Sequence, residues 1–497
     1  MINIVLIGMP GSGKSSLGRY VADSLHMEFL DTDVLIERHE KRPITEIFKT
    51  DGEPYFRRVE TSVIGVVAQA VREIPAGERK NNGLVLSVGG GAAENPANID
   101  LMRGIGRLVY IERPLEALEK DISYNGNRPL LSDRERLVEL FTRRAPIYRA
   151  ATDLSLTNDG SFEKAAETLL AMVRMMGAEA NHLVIGDPIG HSLSPKLHSA
   201  IYAEIASNPA LAMGGDNLGG PCEAGTVTGI ADASYGAVRV APAELEEAMR
   251  CVRCGGVKGL NVTIPHKKAI IPYLDEIAGD ATVAEAVNTV VNRSGKLVGY
   301  NTDMEGLRYA LESRGVSYGG AVVSVCGTGG AAAGIVCKAA ECGASEIIVI
   351  GRNGEKADAI FGAAGKLAAG SDGAGGLKTT FVSHDFERQG LPGELGEALA
   401  RTDLLVNATP LGMGSVGRSF ADFSFLDGLK KTAFVYDIVY DPPETALLCA
   451  AKERGIRAES GLSMLICQGI LSDELFFGVE LDRKELFKAI RDKFRIS

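Results

Sequence analysis

Residues 2–20 read INIVLIGMPGSGKSSLGRY, and this stretch decides the first fold. Residues 2–7 form a mostly apolar run of strand type. Residues 8–15 are G-x-x-x-x-G-K-S, and a helical pattern follows to about Leu25. Strand, glycine loop and helix in that order are the context in which such a loop cradles phosphate. The glycines let successive backbone N–H groups point at phosphate oxygens, and the helix adds its positive end. In that arrangement Lys14 bridges the outer phosphates of ATP and Ser15 ligates Mg2+, with Gly11, Ser12, Gly13 and Ser16 completing the nucleotide loop.

Working outward, residues 84–88 and 107–111 are further buried strands, and 162–175 reads as a closing helix. Alternating strands and helices imply a parallel α/β sheet. A weakly patterned junction follows, so the first domain is expected at 1–177. A new strand begins near 182, and polar motifs crowd the segment to about 304. Residues 322–326 then open a separate βαβ pattern. The expectation is a P-loop kinase-like parallel-sheet domain followed by a two-lobed α/β unit. Its first lobe covers 178–304 and is completed by about 441–497; a Rossmann lobe covers 305–440. Residues 362–376, rich in Gly and Ala, read as a surface loop, and 72–83 and 208–234 as insertions.

Composition narrows the function classes. Hydrophobic residues at 45% and charged residues at 24% exclude a mostly disordered chain. A net charge of −11 argues against non-specific nucleic-acid binding, which needs a positive face. Eight cysteines without a dense framework suit a reducing, cytoplasmic setting. Cys251 and Cys254 form a lone C-x-x-C with no second metal-spaced pair. The start lacks a basic region of signal-peptide type, and the longest uncharged run, 315–337, is too glycine-rich for a membrane span. Small-molecule substrates are the expected partners, and a homodimer is compatible with this reading.

Chemistry-bearing residues fall into two groups. In the first, Asp31-Thr-Asp33 follows a short apolar run. Two carboxylates at i and i+2 on a strand end face one side, one to support Mg2+ and one to accept a proton from a hydroxyl. Gly89-Gly90-Gly91 after a buried strand permits close approach of a ligand to the backbone. Arginines in Phe56-Arg57-Arg58, Arg128-Pro129-Leu130 and Arg143-Arg144-Ala145-Pro146 suit a carboxylate through their planar fork. Together GMPGSGKS, DTD, FRR, the triple glycine, NRPLL and RRAPIY resemble shikimate kinase over about 1–176. The resemblance implies that Asp33 binds the acceptor hydroxyl as its base. It implies that Arg57 and Arg144 hold the acceptor carboxylate, with Gly89, Gly90 and Gly91 against the ring. It also implies that Arg128 reaches the transferring phosphoryl from a lid. The lid lacks the further arginines many members carry, as does the loop at 157–159.

In the second group, Gly327-Thr328-Gly329-Gly330-Ala331-Ala332 follows a strand and precedes a helix, fitting G-x-G-x-x-A. The next strand ends in Gly351-Arg352 rather than an acid, and a cation there suits the 2′-phosphate of NADP(H). Ser192 and Ser194, at i and i+2 before a helix, could bind a carboxylate. Lys267 with a nearby Asp makes a proton donor for a carbonyl under reduction. The motifs GDPIGHSLSP, NVTIPHK, AVNT, NTD, GTGG, NATPLGM, DIVY and GLSMLICQ resemble shikimate dehydrogenase over about 182–497. That resemblance implies Lys267 and Asp303 as the catalytic pair, and Ser192, Ser194, Thr263, Asn288 and Gln468 as ligands of the acid. It places Tyr440 near both ligands. Gly327, Thr328, Gly329, Gly330, Ala331, Arg352, Asn407, Ala408, Thr409 and Gly461 would lie along the nucleotide. His191, His198 and His266 are read as structural.

The two resemblances imply a bifunctional enzyme that reduces 3-dehydroshikimate with NADPH and phosphorylates shikimate from Mg-ATP. Three other readings stand beside it: a metabolite-sensing regulator built from inactive copies, a chain with only the dehydrogenase half active, and quinate in place of shikimate.

Overall fold

The computed structural model describes residues 2–73, 83–124, 134–152, 154–177, 180–213, 229–230, 233–254, 257–368, 377–388, 393–414 and 416–494. Arg128, most of 72–83 and most of 208–234 lie outside the described residues. The chain divides into two compact units: residues 1–181 with 186–189 and 238–257, and the remainder.

The first unit is built on five parallel strands, β1 (Ile2–Ile7), β2 (Glu28–Asp31), β3 (Gly83–Ser87), β4 (Arg107–Glu112) and β5 (Leu154–Thr157), in the order β2-β3-β1-β4-β5. Ile4, Val5, Leu6 and Ile7 have no exposed surface, as a central parallel strand covered on both faces requires. Each such side chain contributes about 1.5–3 kcal/mol by its burial. The chain adds β2 and β3 on one side of β1 and later returns to add β4 on the other. The carboxyl end of β1 therefore opens where the winding reverses, the place where α/β sheets bind ligands. The phosphate-loop residues leave β1 at that end. Gly11 and Gly13 stand at φ +85° and +96°, a region that side chains with a Cβ disfavour, and the helix Lys14–Leu25 starts directly after.

The second unit holds two six-stranded sheets. The first contains β6 (His182–Gly186), β8 (Tyr235–Arg239), β9 (Gly259–Val262), β10 (Glu276–Ile277), β11 (Thr289–Arg293) and β12 (Lys296–Tyr300), in the order β10-β12-β11-β9-β6-β8. A short β7 (Ala212–Met213), inside the expected 208–234 insertion, pairs antiparallel with a late strand, Glu480–Leu481. The second sheet is all parallel. Its strands β13 (Val322–Cys326), β14 (Glu346–Gly351), β15 (Lys378–Ser383), β16 (Leu404–Asn407), β17 (Phe434–Asp437) and β18 (Arg457–Ser460) run in the order β15-β14-β13-β16-β17-β18. Renumbered from its own first strand this is 3-2-1-4-5-6, the dinucleotide-binding order.

Three expectations change. The helix Gly354–Ala368 runs through the first half of the stretch read as a loop from 362, because Ala and Lys outweigh two isolated glycines. The Rossmann sheet continues through Ser460, with the helix Ala446–Glu453 between β17 and β18, so residues 441–460 do not return to the first lobe. The return is made from Gly461, by the helices Gly461–Phe477 and Arg483–Lys493. The reading of Asp31 and Asp33 as neighbours on one strand face also fails. β2 stops at Asp31, whose carboxylate caps the helix Thr32–Glu40 by accepting from the Asp33 N–H at 3.0 Å. A capping Asp ends the strand where the i, i+2 rule assumed that it continued.

Candidate active sites

At the carboxyl end of β1, the Lys14 ammonium donates to the carbonyls of Gly8 at 2.9 Å and Met9 at 2.8 Å, bracing the loop over its own backbone. The Ser15 hydroxyl donates to Asp31 Oδ2 at 2.6 Å and lies 3.2 Å from Ser87 Oγ. A hydroxyl and a carboxylate oxygen side by side are the hard oxygen donors that Mg2+ takes alongside phosphate and water. The residues present therefore fit a metal–nucleotide. Ser16 is exposed, whereas Ser12 is fully buried, with its Oγ against Gly8. Asn158 secures the loop from below, its amide donating to the Ser12 carbonyl at 2.9 Å.

Asp33, Arg57 and the three glycines converge. A Cβ on Gly89 would lie 2.7 Å from Glu60 and 3.0 Å from Asp33. One on Gly90 would lie 2.5 Å from Pro10, and one on Gly91 2.2 Å from the Arg57 guanidinium. Only glycine keeps this pocket open. Arg57 is held by Glu60 at 2.8 Å and Glu53 at 3.0 Å. Glu60 has no exposed surface. Burial pushes its carboxyl up, Arg57 opposes the shift, and the Asp33 charge adds to it. Arg144 is buried and donates to Glu94 at 2.9 Å, while Arg143 takes the other oxygen of the same carboxylate at 2.8 Å. Tyr148 donates to the Gly90 carbonyl. Glu53, Glu60, Glu94 and Asn158 were missed by the sequence reading. Glu53 and Glu60 could have been found, because they lie four before and three after Arg57 on one helix face. Glu94 and Asn158 have no local signal.

In the second unit several of the polar motifs meet in one hydrogen-bonded network. Lys267, on the short helix His266–Ala269, donates to Asp303 Oδ2 at 2.6 Å. Asp303 opens the helix Asp303–Glu312, and its Oδ1 accepts from the Asn288 amide at 2.8 Å. Asn288 also donates to Gln468 at 3.3 Å and to Thr302 at 3.0 Å. Asn261, in β9, donates to Thr289 and Ser472, both at 3.1 Å, and accepts from the Tyr235 hydroxyl at 2.6 Å. Five segments of the chain are thereby locked around Lys267 and Asp303. Tyr440 is near enough to feel the Lys267 charge: burial pushes its hydroxyl up, Asp441 adds to the shift, and Lys267 opposes it. Ser194 heads the helix Ser194–Ser207, and its N–H donates to Ser192 Oγ at 3.3 Å. Thr263 is half-buried next to Lys267's helix. Asn261, Thr302 and Ser472 went unassigned at the sequence level; Asn261 stood in view inside the NVTIPHK motif.

On the Rossmann sheet, Gly327 follows β13 at φ +113°, and a Cβ there would lie 3.2 Å from the Ala408 carbonyl and from Thr409. Gly329 and Gly330 open the next helix with free space above them, room for a pyrophosphate. Thr328 lies against Gly351, Ala331 sits in the helix's first turn, and Gly461 packs on the Ile438 carbonyl. Arg352 is exposed after β14, with Asp385 and Glu387 at 3.9 and 3.7 Å. This loop fits a dinucleotide carrying an extra phosphate. Asn407 is a correction. It is fully buried, donating to Asp437 at 2.9 Å and to the Leu411 carbonyl at 3.3 Å and accepting from Thr409, so it shapes the 408–411 turn instead of meeting the nucleotide.

Known proteins resemble both units. The family model for shikimate kinase matches residues 10–174, and that for the shikimate dehydrogenase substrate binding domain matches 225–290. A shikimate dehydrogenase (NADP(+)) of Symbiobacterium thermophilum is 37% identical over 295 residues, 59% of this chain and 88% of that protein. One of Nitrosopumilus maritimus is 34% identical over 311 residues, 63% of this chain and 98% of that protein. Among solved structures, a shikimate dehydrogenase in complex with NADP+ is 31% identical with a TM-score of 0.50, covering 63% of this chain and 94% of its own. A 5-ketofructose reductase of Gluconobacter sp. is 27% identical, also at 0.50, covering 63% and 98%. No helix among the described residues is long and apolar enough to cross a membrane.

Proposed function

We infer the activity of a chain that belongs to the shikimate dehydrogenase family and carries a shikimate kinase domain ahead of it. It is a bifunctional shikimate-pathway enzyme, an NADP-dependent dehydrogenase joined to an ATP-dependent kinase. In the reading we propose, the second unit reduces 3-dehydroshikimate to shikimate, and the first phosphorylates shikimate at the new hydroxyl. The observation that carries this is the Lys267–Asp303 contact at 2.6 Å, set among Asn288, Gln468 and Tyr440, on a chain that also holds a complete phosphate loop.

NADPH supplies the hydride when bound. Reducing the carbonyl to an alcohol also consumes a proton, and Lys267 Nζ gives it to the oxygen as negative charge develops there. Asp303 Oδ2 aims the ammonium, and Asn288 fixes Asp303 from its other oxygen. Ser192 and Ser194 hold the acid's carboxylate at the start of a helix, where the N–H groups favour an anion. That grip is what the reading adds to the fold, because a fold neighbour is a reductase of 5-ketofructose. Arg352 takes the 2′-phosphate.

In the first unit, Mg-ATP supplies the phosphoryl group when bound, with Lys14, Ser15 and Asp31 to hold it. Asp33 holds the acceptor hydroxyl and removes its proton, while Arg57 and Arg144 fix the carboxylate; the catalysis is largely positioning and neutralising charge. The product of one unit is the acceptor of the other, which gives the pairing its chemical sense. NADPH, ATP and the free thiols of the six cysteines whose side chains are described suit the cytoplasm, and we propose small-molecule partners with no nucleic acid.

A coupled assay tests this. The purified chain with 3-dehydroshikimate and NADPH should oxidise the nucleotide, and adding Mg-ATP should yield shikimate 3-phosphate. Absence of the first step refutes the dehydrogenase reading, and absence of the second refutes the kinase reading.

A further inference from the structure

Lys338 puts a charge where the surrounding residues are apolar. It lies on the helix Gly330–Glu341 next to Ile335, Val336, Ala339 and Ala340, and it is only 7% exposed. Taking an ammonium out of water is costly and is tolerated where carboxylates stand close. Three of them do. Asp280 and Glu341 each have an oxygen 2.8 Å from the Lys338 ammonium, and Glu305 has one at 3.7 Å. Burial works against the charge, but the bonds to Asp280 and Glu341 outweigh it and push the ammonium's pKa up to about 12.

The three carboxylates come from different parts of the second unit. Glu341 is three residues on in the same helix as Lys338, an ordinary local pair. Glu305 lies in the helix Asp303–Glu312, which leads from β12 to β13, and Arg308 already holds both its oxygens. Asp280 heads the short helix Asp280–Ala284, between β10 and β11 of the first lobe. The Lys338–Asp280 contact therefore ties the Rossmann lobe to the lobe that carries Lys267. Each end lies close in sequence to a ligand-binding stretch. Lys338 stands eight residues, about 12 Å, along the helix whose start leaves room for the pyrophosphate. Asp280 stands eight residues before Asn288, and between the two the Val287 N–H donates to the Lys267 carbonyl at 2.8 Å.

We propose that the Lys338–Asp280 pair is a positioning element for hydride transfer: it fixes the nucleotide's lobe against the acid's lobe and so sets the distance from the hydride donor to the carbonyl carbon. Both residues act through the elements that carry them. The proposal rests on the dehydrogenase reading, in which the two ligands react across the lobes. A need for counter-charge alone would make Asp280 and Glu341 equivalent, because both lie 2.8 Å from the same ammonium. Positioning separates them, because only Asp280 belongs to the other lobe.

The test uses the full chain, NADPH oxidation with 3-dehydroshikimate, and NADPH deuterated at the transferred position. Asp280→Asn is expected to lower kcat about tenfold or more, since misplacing reacting atoms by an ångström can cost about a hundredfold. Calorimetric titration should find the affinities for NADPH alone and for shikimate alone within about twofold of the parent chain, because each ligand keeps its own lobe; this also shows that the variant is folded. Its kcat should carry a primary isotope effect well above unity, since hydride transfer has become the slow step. Lys338→Met should behave alike, and the double variant should lose less than about twofold more, because the two residues act as one pair. Glu341→Gln should keep kcat within about twofold. An unchanged kcat in Asp280→Asn, an equal loss in Glu341→Gln, a weakened affinity for either ligand alone, or a slow Asp280→Asn without an isotope effect overturns the proposal and leaves the dehydrogenase reading intact. A parent chain that does not oxidise NADPH sinks the reading and the proposal with it. Should Lys338→Met not fold, Asp280→Asn decides by itself, since its side chain is partly exposed.

Discussion

Replacing Asp303 by Asn keeps the shape of the dehydrogenase cleft and removes its charge. Two donors converge on that carboxylate: the Lys267 ammonium at 2.6 Å and the Asn288 amide at 2.8 Å. An amide offers one oxygen. Whichever donor it satisfies, its NH2 group then faces the other donor. One of the two hydrogen bonds is lost outright, and a hydrogen bond involving a charged group is worth about 1.5–3 kcal/mol. At 1.4 kcal/mol per tenfold, misplacing the ammonium costs roughly 10–100-fold in kcat. Asp303 also opens a helix, so losing its charge removes a further ~0.3–1 kcal/mol of stability. That is too little to unfold the chain. The assay follows loss of NADPH absorbance with 3-dehydroshikimate, and phosphorylation of shikimate by the same preparation as a control. The expected result is a kcat reduced by one to two orders of magnitude with the kinase rate intact. A kcat within twofold of the parent chain shows that the pair takes no part in the reaction; equal loss of both activities shows general damage.

Other substitutions separate the remaining parts. Lys14→Ala should lower phosphorylation by on the order of 10²–10³ and leave NADPH oxidation unchanged. Arg352→Ala should raise KM for NADPH about tenfold and leave that for NADH unmoved, as steady-state kinetics with both nucleotides would show. Gly91→Ala places a Cβ 2.2 Å from the Arg57 guanidinium and should raise KM for shikimate in the kinase step, with KM for ATP unchanged. Asp437 gives a pH prediction. Burial pushes its carboxyl up to about 6, against hydrogen bonds from Thr445, the Val439 N–H and Asn407. An acid with a raised folded pKa binds its proton more tightly in the folded state, so stability falls as pH rises from about 4 to 6. The loss from this one group is about 3 kcal/mol at most. Urea titrations at pH 4.5 and 7 should therefore show a smaller pH dependence for Asp437→Asn than for the parent chain, and an unchanged slope refutes the shift.

Sequence carried the local features far. Ile2–Ile7 followed by the loop and helix could be read because strand, turn and helix each leave a short-range pattern, and the order of motifs along 182–497 did the same for the second unit. The errors came where a long-range partner decides the outcome. The i, i+2 rule placed Asp31 and Asp33 together, but the capping bond of Asp31 ended the strand. The family resemblance laid Asn407 along the nucleotide, yet Asp437, thirty residues on, claims its amide. Strand β18 was assigned to the wrong lobe because four residues, three of them polar, carry little periodicity; its place is set by pairing with β17. Glu94, which holds Arg143 and Arg144, is fifty residues away from them and no window could include both.

Those partners share a pattern that bears on how the sites work. Three of the cations assigned to an anionic ligand, and the proton donor Lys267, already lie beside a carboxylate: Arg57 with Glu53 and Glu60, Arg144 with Glu94, Lys267 with Asp303, Arg352 with Asp385 and Glu387. A buried guanidinium without a counter-charge is costly, so the resting sites neutralise their own cations. Binding an acid then adds a second acceptor to a cation that is already oriented. Arg144 shows how: its NH2 serves Glu94 while its Nε is buried without a partner among the described residues. The resident carboxylate limits affinity by repelling the incoming one and lowers the entropy lost on ordering the arginine, since Glu94 has already fixed the fork. Glu94→Gln separates the two effects. If repulsion dominates, KM for shikimate falls in the kinase step; if orientation dominates, it rises. The 24% exposure of the Glu94 side chain leaves its charge partly screened, while both arginine forks depend on its oxygens, so a rise of a few fold is the expected outcome.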